Sequence, residues 1–264
     1  MATCTPDKEN LSLGSKPTAD FTVTPLSGNA NRVVINNTSS GEFMHSFDFG
    51  NGVKSSKNTD TVLYDAKGDY TVTLTAFGQG GYVTTTKKVS IANDYPGEEI
   101  LKGGDMSSSS AQYWTRLTIG GGTQTTMAFV NDALKLSNTG DANGGIYQAV
   151  QVKAGKTYIF SATVKGDGAT NTWVEVYFGT TAPAQGADYT DNNFIALNTW
   201  SGCGGSPFNG NLATIGCAGN GVGKSGRMTF SQSGTVYLVI KAGSCCGGNM
   251  GNGITIDDIS LREK

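Results

Sequence analysis

The chain has 264 residues, a net charge of −2 and a charged fraction of 15%, against a usual value of about 25%. Near-neutral charge without a basic run removes the electrostatic footprint that nucleic acid requires. No apolar run approaches the roughly 18 residues of a membrane-spanning helix, and a single histidine excludes multi-histidine metal sites and argues against a histidine-based triad. The 38 glycines, with abundant Ser, Thr and Asn, point to an extracellular, all-β chain of short strands and turns. At about 150 residues per domain the length suits roughly two domains.

Residues 1–17 are polar and aperiodic and read as a flexible tether. The first ten lack the apolar stretch of an intact signal peptide. They resemble the residues that follow a bacterial lipoprotein signal, where the cysteine carries the lipid. Asp7 and Glu9, just after Cys4, resemble the surface-export tether of Bacteroidota lipoproteins. That resemblance implies a lipid anchor at Cys4 and a place on the outer membrane at the cell surface. The competing reading is a disordered tail with an incidental thiol.

From Ala19 short alternating runs begin, over 21–24, 32–36, 43–49, 61–64, 70–76 and 82–91. Seven or so strands at about ten-residue spacing predict an Ig-like β-sandwich over 18–93. Asp48 can bond turn amides, the neighbouring glycines supply positive φ, and Tyr70 can act as a corner tyrosine. His45 falls in a strand, where a structural role is expected. Phe47-Asp48-Phe49-Gly50-Asn51-Gly52 and Gly68-Asp69-Tyr70-Thr71-Val72-Thr73-Leu74 resemble the two motifs of a PKD domain. Phe47 stands where the family usually has tryptophan, and Asn51 where it has a second aspartate. The resemblance implies a spacer without a ligand of its own.

Pro96-Gly97 breaks the strand pattern, so 94–100 is expected to be a linker. A second all-β domain is expected over 101–264, with strands near 133–137, 145–152, 157–164, 173–178, 227–230, 234–240 and 254–261. These runs predict a two-sheet jelly-roll β-sandwich. Residues 179–226 read as a long, ordered, Gly/Asn-rich insertion. Cys203 and Cys217 bracket part of it, and Cys245-Cys246 is a vicinal pair. The four cysteines permit three pairings. A bridge across the insertion, a vicinal ring, or crossed bridges all remain open, and the spacing is not a zinc pattern.

Gly103-Gly104-Asp105-Met106, the block from Gly145 to Tyr158, and the strand from Ile254 to Leu261 resemble the carbohydrate-binding modules of the CBM4/9/22 jelly-roll group. Sugars stack C–H faces on aromatic rings and exchange hydrogen bonds through hydroxyls. Period two places Trp173, Glu175 and Tyr177 on one strand face, with Val174, Val176 and Phe178 on the core face. Trp173, Glu175 and Tyr177 are therefore the leading ligand candidates, Glu175 as an acceptor for sugar hydroxyls. Trp114, Trp200, Tyr113 and Phe208 follow, with Tyr189 weaker. Gln148 and Asn143 are possible amide contacts, and Cys245-Cys246 could form part of the wall. The alternative is that the insertion covers Trp173 and Tyr177 as ordinary packing. Asp105 with Asp258 is a weak candidate for structural calcium, which needs six to eight oxygens; no other cofactor is expected.

A glycosidase needs two carboxylates about the scissile bond, and Glu175 alone lies on an aromatic face. The expectation is a noncatalytic binder. The whole arrangement resembles the surface glycan-binding lipoproteins of Bacteroidota polysaccharide-utilisation loci. That implies capture of a polysaccharide, a β-glucan such as β-1,3-glucan (laminarin), beside a SusC/SusD-like transport complex. The alternatives are an adhesin that binds a protein partner and, behind it, a glycoside hydrolase.

Overall fold

The computed structural model describes residues 14–264, so the expected lipidation site Cys4 and most of the expected tether lie outside the described residues. The chain divides into two units, the first ending at Tyr95 and the second spanning Pro96–Lys264. Among the described residues no helix is long and apolar enough to cross a membrane.

Among the described residues the first unit has seven strands: β1 (Phe21–Leu26), β2 (Asn29–Asn37), β3 (Met44–Asp48), β4 (Lys54–Ser55), β5 (Thr59–Leu63), β6 (Gly68–Gly78) and β7 (Gly81–Ile91). They form sheets of order β1-β2-β5 and β4-β3-β6-β7. Alternation places Phe21, Ile35, Phe47, Tyr64, Val72 and Leu74 in the core between them. The expected turn chemistry is present. Asp48 Oδ1 accepts from the Gly50 amide at 3.0 Å, and Asn51 Oδ1 from the Val53 amide at 3.1 Å. Gly50 has φ +75°, and a Cβ there would meet the Thr71 carbonyl at 2.7 Å, so both conformation and space require glycine. The Tyr70 hydroxyl donates to the Ala66 carbonyl at 2.7 Å, the backward reach of a corner tyrosine. His45 is buried beside Glu42 and Asn37, with its ring edge-on to Phe47, in a structural position.

The second unit is a β-sandwich of the jelly-roll kind. Its strands are β8 (Glu98–Glu99), β9 (Thr115–Thr118), β10 (Thr126–Val130), β11 (Ala133–Ser137), β12 (Ala142–Val152), β13 (Thr157–Gly166), β14 (Thr170–Gly179), β15 (Asn193–Asn198), β16 (Phe208–Asn211), β17 (Arg227–Thr229), β18 (Gly234–Asn249) and β19 (Ile254–Glu263). One sheet runs β10-β11-β19-β13-β16, with β8 on β19 and β17 on β13. The other runs β15-β14-β18-β12-β9. Their facing sides bury Val174, Val176, Phe178, Ile240, Phe160 and Val164 among others.

Three expectations change here. Residues 98–100 are not free linker: Glu98 and Glu99 pair with Glu263 and Arg262, and the Ile100 amide donates to the Leu261 carbonyl. Residues 179–226 are not simply a loop, because β15 completes the second sheet and buries Phe194, Ile195, Ala196 and Leu197. A short, continuous apolar run has no period to betray it, since it is buried on both faces. Strand β18 continues to Asn249 instead of ending at Ile240, so the vicinal cysteines lie in its last turn-like stretch.

Candidate functional site

The site is built on the face of the second sheet that points away from the core. As alternation predicts, β14 sends Trp173, Glu175 and Tyr177 to this face. Register then fixes their neighbours on β18: Gly243 beside Trp173, Lys241 beside Glu175, and Val239 beside Tyr177. On β15, Asn198 stands opposite Trp173 and Ala196 opposite Glu175. Three rows therefore cross the face, and they differ sharply in character.

The Tyr177 row is closed. Tyr177, Tyr189, Val239, Leu117 and Ile119 form a separate buried cluster, with Tyr147 and Tyr237 packed against it. The segment after β14 provides the cover. Gln185 accepts from the Thr118 amide and donates to the Arg116 carbonyl, while the Gly186 amide donates to the Thr118 carbonyl. Asp191 accepts from the amides of Thr180 and Thr181. Tyr177 and Tyr189 are thus packing residues and not ligand platforms, because the segment that covers Tyr177 and carries Tyr189 spends its own polar groups on the edge strand β9. Burial, then the bond to Glu175, pushes the Tyr177 hydroxyl up to about 12.

The Glu175 row is a buried ion-pair network. Lys241 Nζ lies 3.2 Å from Glu175 Oε2, 3.1 Å from Asp188 Oδ1 and 3.1 Å from the Tyr189 carbonyl. It also sits 5.1 Å from the centre of the Tyr177 ring, a cation–π placement. Burial alone would pull the Lys241 ammonium down. Glu175, Tyr177 and Asp188 outweigh that and hold it above the ordinary lysine range. Glu175 also accepts from the Tyr177 hydroxyl at 2.7 Å. Its expected role as an acceptor for sugar hydroxyls is therefore taken by the protein itself. The same geometry removes it as half of a hydrolytic pair, since both carboxylates here are bound to one ammonium.

The Trp173 row is open. The Trp173 indole lies across Gly243, where a Cβ would collide with the ring. Trp200 is 54% exposed and lies beside Trp173, with ring centroids 6.1 Å apart and planes tilted by 34°. Trp200 is held by a short turn, Thr199–Ser201, whose cap Asn198 accepts from the amides of Trp200 and Ser201. Thr199 Oγ1 accepts from the Thr172 amide at 3.0 Å and ties the turn to β14. A Cys203–Cys217 disulfide closes the chain behind it, which excludes crossed bridges to Cys245 and Cys246, both free thiols. Backbone bonds from Cys203 to Asn198 and from Cys217 to Ala196 lay both ends along β15. The Trp173 indole N–H is buried and has no acceptor among the described residues.

The remaining candidates lie elsewhere. Trp114 is in the core, its indole donating to the Gly103 carbonyl at 3.0 Å. Tyr113 ends a short 3-10 turn, Ser108–Tyr113, and is exposed, but it lines a different cleft with Asp105, Asp258 and Arg262. Phe208 is half-buried on β16, over its register partner Gly166 of β13 in the same sheet, so it is core packing and not an exposed loop platform. The Gln148 amide is spent on Lys102 and Tyr113 backbone groups. Asp105 and Asp258 share that cleft, yet Asp105 Oδ1 is engaged by the Ser110 and Ser107 hydroxyls, and Glu99 by the Leu101 and Leu261 amides and Ser260. Among the described residues no group of three or more His, Cys, Asp or Glu side chains is placed to hold a metal.

Residues 20–91 match the PKD domain family. Within these bounds the chain belongs to that family. The PKD1 domain of Vibrio anguillarum Epp is 31% identical over 30% of this chain and 96% of its own, with a TM-score of 0.27. The PKD domain accounts for the strands and turn motifs of the first unit and leaves the second unit to be assigned. The chain is also similar to a structure described as a carbohydrate-binding module of the β-sandwich superfamily with promiscuous specificity. It is 18% identical over 94% of this chain and 98% of that one, with a TM-score of 0.35. A module named TmCBM61, in complex with β-1,4-galactotriose, is 14% identical over 63% of this chain and 99% of its own, with a TM-score of 0.37. No protein among the curated sequences matches the chain.

Proposed function

We propose that the second unit is a noncatalytic carbohydrate-binding module whose ligand surface is the Trp173–Trp200 pair. The carrying observation is that pair: two indoles side by side, one more than half exposed, on a sheet face whose other rows are closed. Large exposed aromatics on a supported turn are what the C–H face of a pyranose ring stacks against. The unpartnered Trp173 indole N–H supports the reading, because a buried donor left without an acceptor asks for an explanation. Asn198 and Asn143 flank the pair on neighbouring strands and bring amide chemistry to the same row.

The proposed ligand is a neutral polysaccharide, a β-glucan of the β-1,3-linked laminarin type. Beside the Trp173 row the one ammonium of Lys241 is paired with two carboxylates, Glu175 and Asp188, which leaves a net charge of −1 and disfavours an anionic glycan. The wider proposal is a cell-surface protein, lipid-anchored through Cys4 at the outer membrane, with the PKD domain as spacer. It would deliver glycan to a SusC/SusD-like transport complex.

Native affinity electrophoresis through gels holding laminarin, mixed-linkage β-glucan, xylan, mannan, dextran or levan tests the reading. Retardation by laminarin, weakened in Trp200→Ala and mostly lost in Trp173→Ala, is the expected result. Equal mobility in every gel would overturn carbohydrate binding and return the surface to a protein-binding role.

A further inference from the structure

Strand β18 passes under Trp173 at Gly243 and carries two adjacent cysteines just beyond it. Ser244 points inward, buried against Thr172 and Asn138, so alternation sends Cys245 to the same outer face as Gly243 and Trp173. One strand repeat of two residues separates Gly243 from Cys245, about 7 Å. Cys245 is half-buried and Cys246 exposed, and their sulfurs are 2.9 Å apart. Cys246 has φ +57°, followed by Gly247 at φ +73°. Such a bend is rare for a side-chain-bearing residue, and it turns the two sulfurs toward each other. The bend is also anchored: Asn171 donates to the Cys246 carbonyl at 3.1 Å, and Asp141 accepts from the Gly247 amide at 3.1 Å. Cys203 and Cys217 are already joined to each other. Among the described residues, Cys245 and Cys246 therefore have only each other.

We propose that Cys245 and Cys246 close into a vicinal disulfide, and that this ring is the third wall of the ligand surface beside Trp173 and Trp200. The second half of the statement rests on the carbohydrate reading above; the first does not. The chemistry is thiol–disulfide exchange with an external disulfide such as oxidised glutathione. The exposed Cys246 thiolate attacks one sulfur of that disulfide, forming a mixed disulfide and expelling one thiolate. Cys245 sulfur, as its thiolate, then attacks the Cys246 sulfur and expels the second. The protein loses two hydrogens, the two cysteines are oxidised, and the external disulfide is reduced to two thiols. The product is a rigid ring whose two sulfurs carry no hydrogen-bond donor. It replaces two mobile S–H groups at the margin of an aromatic platform, a surface suited to the apolar face of a sugar.

The test has two arms on the whole protein. In the first, protein treated with oxidised glutathione is alkylated and digested without reduction. The peptide holding Cys245 and Cys246 is expected unalkylated and lighter than its dithiol form by two hydrogens. Alkylation of both thiols, a retained glutathione adduct, or a link to another chain would overturn ring closure. In the second arm, Cys245→Ser/Cys246→Ser and wild type are compared on laminarin gels. The double variant keeps Cys203–Cys217, which peptide mapping verifies. Weaker retardation of the double variant, by several-fold in apparent affinity, is expected. Equal retardation would overturn the wall while leaving the carbohydrate reading intact. A closed ring with no retardation of wild type by any polysaccharide would overturn the wall through failure of the carbohydrate reading itself.

Discussion

Lys241 takes Glu175 away from the ligand surface: the ammonium lies 3.2 Å from Glu175 Oε2, with only 7% of the lysine side chain and 15% of the glutamate exposed. The carboxylate on an aromatic strand face, which suggests sugar recognition from sequence, is a structural partner. Breaking one member of a buried pair costs about 3–5 kcal/mol, because a charge is left behind without compensation. Lys241→Met is expected to destabilise the second unit by about that amount. Lys241→Met/Glu175→Gln should recover much of the loss. Urea unfolding of the two variants measures both, and a double variant no more stable than the single one would contradict the pairing.

The Cys203–Cys217 bridge spans a sequence separation of 14. A loop of that size gains about 3 kcal/mol from cross-linking. Cys203→Ser/Cys217→Ser is expected to lower stability by about 2–4 kcal/mol and to weaken glycan binding as well, because the bridge closes the chain behind Trp200. The check is thermal unfolding together with a binding isotherm. Lost stability with unchanged affinity would show that the Asn198 cap alone positions Trp200.

Gly243 is the floor under Trp173. Gly243→Ala introduces a Cβ into the indole and the Ala142 carbonyl, so it should displace the ring and lower affinity without touching ligand directly. Tryptophan fluorescence of the variant is expected to shift. An unshifted spectrum with full affinity would mean that the ring does not rest there.

Acid acts on the cover over the tyrosine row. The hydrogen bond donated by the Thr181 amide, with further help from Thr180, holds the Asp191 carboxyl below its ordinary value of 3.8. A carboxyl depressed in the folded state contributes stability above its unfolded pKa and loses it as pH falls through the folded pKa. The segment after β14 should therefore stay closed at neutral pH and loosen only below 3.8. Amide exchange at Thr180 and Thr181 reads this directly. Asp191→Asn should flatten the acid dependence; an unchanged profile would place the titrating group elsewhere.

Much of this was legible in the sequence where period and turn chemistry agreed. The alternation of β6, the Asp48 turn and the Tyr70 corner announced the first unit, and β14 announced both of its faces. Trp173 was visible as a candidate because alternation put it on the outer face of its strand, and Trp200 because it falls in the insertion, where little core is expected. What escaped was long-range register. Nothing local says that Lys241 of β18 stands beside Glu175 of β14, or that Gly186 reaches Thr118 to cover Tyr177. Strand β15 escaped because Phe194-Ile195-Ala196-Leu197 has no alternation, and Phe208 because its partner Gly166 is distant in sequence.

The most direct measurement is calorimetric titration of laminarin oligosaccharides into wild type, Trp173→Ala and Trp200→Ala. Trp200 is more than half exposed, so Trp200→Ala should change stability by no more than about 0.5 kcal/mol. The account predicts saturable binding to wild type, about tenfold weaker binding to Trp200→Ala, equivalent to about 1.4 kcal/mol, and loss of most binding in Trp173→Ala. Wild-type affinity in both variants would contradict the claim that the two indoles form the ligand surface.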